Sequence, residues 1–124
     1  MSDVVGLELD RNRVALGDEL VGRVVFPEPS SEKLSKVKAV RLIVRAKISG
    51  SGNSETLPVT DETLASGPQS GAPLPFAVRL PERGPVTWDG RHVKVRWEII
   101  AELDIPWAID PKDVGTFVVT ARGA

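Results

Sequence analysis

Val93-Lys94-Val95-Arg96-Trp97-Glu98-Ile99-Ile100-Ala101-Glu102-Leu103-Asp104-Ile105 is the stretch that decides the fold. Successive side chains of a strand point to opposite faces, so a half-buried strand alternates apolar and polar residues. One face here is Val93, Val95, Trp97, Ile99, Ala101, Leu103 and Ile105; the other is Lys94, Arg96, Glu98, Ile100, Glu102 and Asp104. A slip of one residue would bury the charges, so the core face is set. A second stretch behaves alike. Val40, Leu42, Val44, Ala46 and Ile48 alternate with Arg41, Ile43, Arg45 and Lys47. A helical stripe through Val37, Val40, Arg41, Val44 and Ile48 would enclose a charge, so the strand reading prevails.

The two stretches fit together as antiparallel neighbours with Ile43 opposite Ile100. Arg41 then faces Glu102 and Arg45 faces Glu98. On the core face Leu42 meets Ala101, Val44 meets Ile99 and Ala46 meets Trp97. Opposite charges and complementary sizes come from one register. Lys47 opposite Arg96 is the one unfavourable pair. Exposed ion pairs contribute little individually, so the inference rests on their agreement.

Outward from this pair, ten Pro and eleven Gly cut the chain into segments too short for a helix bundle. Strands are expected at about 4–9, 19–26, 37–48, 56–62, 73–80, 92–105 and 113–120, with no helix. The connectors carry turn residues, as in Gly17-Asp18, Ser49-Gly50-Ser51-Gly52-Asn53 and Trp88-Asp89-Gly90. This spacing predicts an all-β, immunoglobulin-like sandwich of about seven antiparallel strands, the third and sixth paired in its smaller sheet. Up-down alternation sorts the connectors: 10–18, 49–55 and 81–91 at one end, 27–36, 64–72 and 106–112 at the other.

The 124 residues suit one domain, expected over 1–124, with no internal repeat or linker. Cys is absent, which excludes disulfides, thiolate zinc sites and Cys nucleophiles. Sixteen Lys and Arg against seventeen Asp and Glu leave a charge of -1, which argues against a nucleic-acid footprint. Met1-Ser2-Asp3 carries no basic leader, and no uncharged run approaches the roughly 20 residues of a membrane span. A cytoplasmic location without membrane insertion is expected.

Chemistry-bearing constellations are sparse. His92 is the only imidazole, and no G-x-S-x-G occurs. Gly17 to Gly22 resembles a phosphate loop only superficially, since no Lys-Ser/Thr follows Gly22. Asp104, Asp110 and Asp113 read as turn carboxylates, because Ile105-Pro106-Trp107-Ala108-Ile109 separates them. Glu98 and Glu102 read as ion-pairing residues. No catalytic residue, cofactor or metal is expected. Trp97 belongs to the core face, and Trp107 is expected to plug the core. Trp88 lies in the polar turn Pro85-Val86-Thr87-Trp88-Asp89-Gly90-Arg91, outside any alternation. It is either a lid on the core end or an exposed anchor for a partner. Trp and Arg are enriched in interface hot spots, and Arg83 and Arg91 flank it.

Several segments together resemble an arrestin domain. Leu7-Glu8-Leu9 through Val14, Gly17-Asp18-Glu19 and Gly22-Arg23-Val24 resemble that family's first hairpin. Val40-Arg41-Leu42-Ile43-Val44 resembles its long central strand, and Leu74-Pro75-Phe76-Ala77-Val78 leads to a Leu80-Pro81 element like the family's. Gly90 and Val93-Lys94-Val95-Arg96-Trp97-Glu98-Ile99 resemble its "G…vxYxv" strand, with Trp97 in place of the Tyr. Arrestins, the retromer cargo-binding subunit and the bacterial sporulation-control relatives usually carry two such domains, and this chain has room for one. Ser2-Asp3-Val4-Val5 stands where visual-type arrestins have a phosphate-sensing Lys pair, so that role does not carry over.

The resemblance implies a non-enzymatic adaptor or scaffold that binds a protein partner, for instance the cytosolic segment of a membrane protein. It aligns 49–55 with the receptor-engaging loop and 86–91 with the middle loop. Trp88, Arg83, Arg91 and Asn53 are the expected partner-binding residues, beside a 49–55 loop expected to be loose. Contact by strand addition at a sheet edge is the other route. The alternative is a structural module that self-associates as a homodimer, in place of the second domain. A small-ligand carrier or an enzyme is the third class.

Overall fold

A computed structural model describes residues 3–122. Met1 and Ser2, quoted above for the N-terminus, lie outside the described residues. Among the described residues, nine strands and one short 3-10 helix follow in the order β1 (Gly6–Leu9), β2 (Arg13–Ala15), β3 (Glu19–Val25), η1 (Glu32–Lys36), β4 (Ala39–Gly50), β5 (Asn53–Ser66), β6 (Leu74–Arg79), β7 (Trp88–Asp89), β8 (Val93–Asp104) and β9 (Lys112–Thr120). They form two sheets. One is β1-β3-β6; the other is β2-β9-β8-β4-β5, with β7 also paired to β8.

The register of β4 and β8 is the expected one. Ile43 lies opposite Ile100, Arg41 opposite Glu102, Arg45 opposite Glu98, Ala46 opposite Trp97, and Lys47 opposite Arg96. The pair sits in the larger sheet, however, and not in the smaller one. β5 pairs with β4 in this sheet, which makes it the larger one, and two short strands missed by sequence enlarge it further. β2 and β7 span three residues or fewer, below the length at which alternation is detectable. β2 also pairs in parallel with β9, an exception to the antiparallel expectation. Val14 and Leu16 are buried on this short strand and just after it. Its pairing carries the chain from one sheet to the other.

β5 runs well past the expected 56–62. Gly50 pairs with Asn53, so Ser51 and Gly52 alone make the turn. Their φ values are 44° and 82°, the doubly left-handed geometry that matches strand twist in tight hairpins. The stretch 49–55 is therefore a hairpin tip and not a loose loop. At the far end β5 was obscured by two irregularities, where Val59 and Leu64 stand out of register with β4. A bulge shifts the alternation by one residue and erases the period-2 signal. Pro58, bulges and acidic residues also suit this strand to a sheet edge.

Between the sheets, Leu20, Val24, Phe76 and Val78 pack with the inward face of β4 and β8, from Leu42 to Ala46 and Trp97 to Leu103. Gly22 lets β3 approach its neighbours. A Cβ there would collide with the Glu8 carbonyl and come within 2.9 Å of the Phe76 ring. The connectors sort as expected. At one end Gly17 N–H donates to Pro81 O (3.0 Å). At the other, Gln69 N–H donates to Leu34 O (2.9 Å) and Lys38 N–H to Asp104 O (2.8 Å).

Candidate partner-binding surface

The segment 85–90 is stitched to the large sheet at several points. Trp97 Nε1 donates to Pro85 O (3.0 Å) from inside the core. Thr87 N–H donates to Val119 O (2.9 Å), and Thr87 Oγ1 accepts from Val119 N–H (2.8 Å). Trp88 and Asp89 pair with Val95 and Lys94 of β8, and Gly90 N–H donates to Val93 O (3.0 Å). On this fixed backbone Trp88 is 60% exposed. Its indole lies against Gly90, where a Cβ would collide with Nε1. Trp88 is thus an exposed aromatic and not a lid; the core beneath it is filled by Trp97, tilted at 52° to Phe117 with ring centres 6.0 Å apart.

Two shallow hollows flank this segment. One, of about 370 Å³, is lined by Trp88 with Asn12, Lys94, Arg96, Thr116 and Val118 among others. The second, of about 420 Å³, lies at the hairpin tip and includes Asn53, Arg91, His92 and Lys94. The structure thus brings Asn53 and Arg91 together, with Trp88 next door across Lys94. Arg83 is exposed in the connector after β6 and lines neither hollow. Lys94 and Arg96 were not singled out from sequence as site residues. Their signal was there: both are outward positions of β8, and Arg96 faces a like charge.

Trp107 departs from expectation. It is fully exposed, with φ 64°, and Ile109 is 97% exposed. Ile105 N–H donates to Asp110 Oδ1 (3.1 Å), and Leu103 N–H donates to Pro111 O (2.9 Å). These bonds close the loop at its base and turn 106–109 outward. Trp107 follows the sixth expected strand, from which a core plug was expected; the strand ends at Asp104, before Pro106, and the loop turns the ring outward.

The carboxylates behave as structural groups. Asp110 caps its own loop, and Asp113 Oδ2 accepts from Leu7 N–H (3.0 Å) at the outer edge of β1. Arg41 Nη2 donates to both Asp61 oxygens (2.9 and 2.7 Å). That bond, with the nearby negative charge, holds the Arg41 guanidinium above its ordinary pKa. Among the described residues no group of three or more His, Cys, Asp or Glu could hold a metal ion. No described helix is long and apolar enough to cross a membrane.

No family model and no curated protein matches this chain. Solved structures do. Spo0M, a sporulation control protein from Bacillus subtilis, superposes with a TM-score of 0.72 at 19% identity, over 98% of this chain and 51% of that one. A superoxide reductase (neelaredoxin) from Ignicoccus hospitalis gives a TM-score of 0.48 at 10% identity, over 96% and 82%. The chain spans about half the length of Spo0M. With the sandwich, the connector arrangement and the Spo0M superposition in agreement, the fold of this chain is the arrestin-like β-sandwich.

Proposed function

We propose that the chain is a non-enzymatic interaction module, an adaptor or scaffold in the cytoplasm, that meets a protein partner at the β7 end of the sandwich. One observation carries this reading: Trp88 is 60% exposed on a segment pinned to both β8 and β9. A large apolar ring held in place before binding loses little freedom on association, which is what makes anchor residues effective. Arg91 and Asn53 at the adjoining hairpin tip supply polar contacts around it. The cytosolic segment of a membrane protein is the partner type that the arrestin resemblance suggests. The test is Trp88→Ala in the full chain. The variant should melt at the wild-type temperature and lose the partner captured from a detergent-solubilised native lysate. A lowered melting temperature, or undiminished capture, would refute the anchor role.

Self-association is the second reading, favoured by Trp107 and Ile109, which stand almost wholly exposed at the opposite end. On that reading the wild type sediments as a dimer at low micromolar concentration, and Trp107→Ser returns it to a monomer. A wild-type monomer under those conditions would exclude it.

A further inference from the structure

The outward face of the large sheet is polarised. Toward the hairpin tip it carries Arg45, Lys47, Lys94 and Arg96 against Glu98 and Asp89. Toward the other end Arg41 and Lys112 face Asp61, Glu102 and Asp104. The cationic half is undercompensated in detail. Glu98 is buried and shared by Lys47 (3.4 Å) and Arg45 (3.8 Å). Lys94 approaches Asp89 at 3.6 Å, with both side chains largely in water, so that pair is weak. Arg96 makes no ion pair among the described residues, and it lies directly opposite Lys47. Like charges facing each other across a ladder are destabilising.

These cations converge on a concavity of about 310 Å³ between β4, β5 and β8. Lys47, Lys94 and Arg96 line it, together with Ser49, Ser54 and Thr56 on the same sheet face. Ile48 and Glu55 also border it, but the register turns both toward the opposite face. Lys94 and Arg96 belong equally to the hollow beside Trp88. Hydroxyls, two ammonium groups and a guanidinium without an ion pair among the described residues thus share one patch of this face; Trp88, opposite Val95, is turned by the register toward the other face.

We propose that this patch binds an acidic, extended peptide segment of the partner. Its carboxylates would lie between Lys47 and Arg96. The inference deepens the interaction-module reading and rests on it. Charge complementarity selects the occupant: the whole chain carries -1, whereas this half-face presents four cations to two carboxylates. A carboxylate inserted between Lys47 and Arg96 converts their repulsion into two charge-assisted contacts. Binding therefore relieves a cost that the free protein carries.

The test uses the full chain and a dye-labelled peptide of Asp and Glu, followed by fluorescence polarisation. A second peptide replaces every acid by its amide. The acidic peptide should bind, weaken as salt is raised, and shift the backbone amide resonances of residues 47, 49, 54, 56, 94 and 96. Arg96→Gln should weaken it by about tenfold, the loss of one charge-assisted contact. The same substitution should raise the melting temperature by about 1–3 °C, because the Lys47 repulsion disappears. Equal binding of the amide peptide, unchanged affinity in Arg96→Gln, or preference for a short single-stranded oligonucleotide would each overturn the proposal. If the acidic peptide fails while Trp88-dependent capture persists, the acidic chemistry is wrong and the interaction module stands. If both fail, both readings fall.

Discussion

Replacing Trp97 by Ala probes the core and the candidate surface together. Trp97 is 1% exposed, stands opposite Ala46, and packs on Phe117. Its truncation removes roughly 150–200 Å² of buried apolar surface, which at about 25 cal/mol per Å² is about 4–5 kcal/mol. It also deprives Pro85 O of its donor, adding about 1 kcal/mol. Partial collapse of the site offsets some of this, so a net loss of about 3–5 kcal/mol is expected. A domain of this size has about 5–15 kcal/mol in total, so the variant will be marginal. Trp97→Phe is the informative companion. It retains most of the ring burial but cannot donate to Pro85, and should cost about 1–2 kcal/mol. It should also speed amide exchange at Thr87 and Gly90, because the segment carrying Trp88 loses its tie to the core. Urea denaturation and hydrogen exchange provide the readouts. A Trp97→Ala curve superimposable on wild type would refute the face assignment. Unchanged exchange at Thr87 in Trp97→Phe would refute the coupling between core and surface.

Two further outcomes are expected. Gly22→Ala should destabilise by about 1–3 kcal/mol in urea, because the new methyl meets the Glu8 backbone and the Phe76 ring; a wild-type midpoint would mean that β3 is held less tightly than the register implies. A double-mutant cycle on Arg41 and Asp61, whose side chains are 38% and 56% exposed, should give a coupling of about 0.2–1 kcal/mol that shrinks in salt; a larger, salt-independent coupling would show that the pair is shielded from solvent.

Much of this molecule follows from local pattern. The alternation at 40–48 and 93–105 carries its own direction, since each misplaced charge would have to be buried. Charge and size matching then determined one register, with Ile43 opposite Ile100. The absence of Cys removed disulfides, thiolate zinc sites and Cys nucleophiles at the same stage. The sorting of connectors to the two ends followed from strand direction and nothing more. Even the unfavourable Lys47–Arg96 pair was visible there, though the concavity it lines with Ser49, Ser54 and Thr56 was not.

What the tertiary structure decided were features that leave no periodic trace. β2 and β7 are too short to alternate, and bulges at Val59 and Leu64 interrupt the alternation of β5. Sheet membership depends on which edges remain open after pairing, a property of the whole assembly. The three tryptophans illustrate the limit. Trp97 lay within a long alternation, and its burial was legible. Trp88 lies in a two-residue strand and Trp107 in a loop, where backbone direction sets exposure. For Trp88 that direction comes from its neighbours' hydrogen bonds, Thr87 to Val119, distant in sequence, and Gly90 to Val93. For Trp107 it comes from a left-handed backbone after Pro106, closed by Asp110. A side chain's hydrophobicity states what burial would gain; only the path of the backbone decides whether the core can reach it.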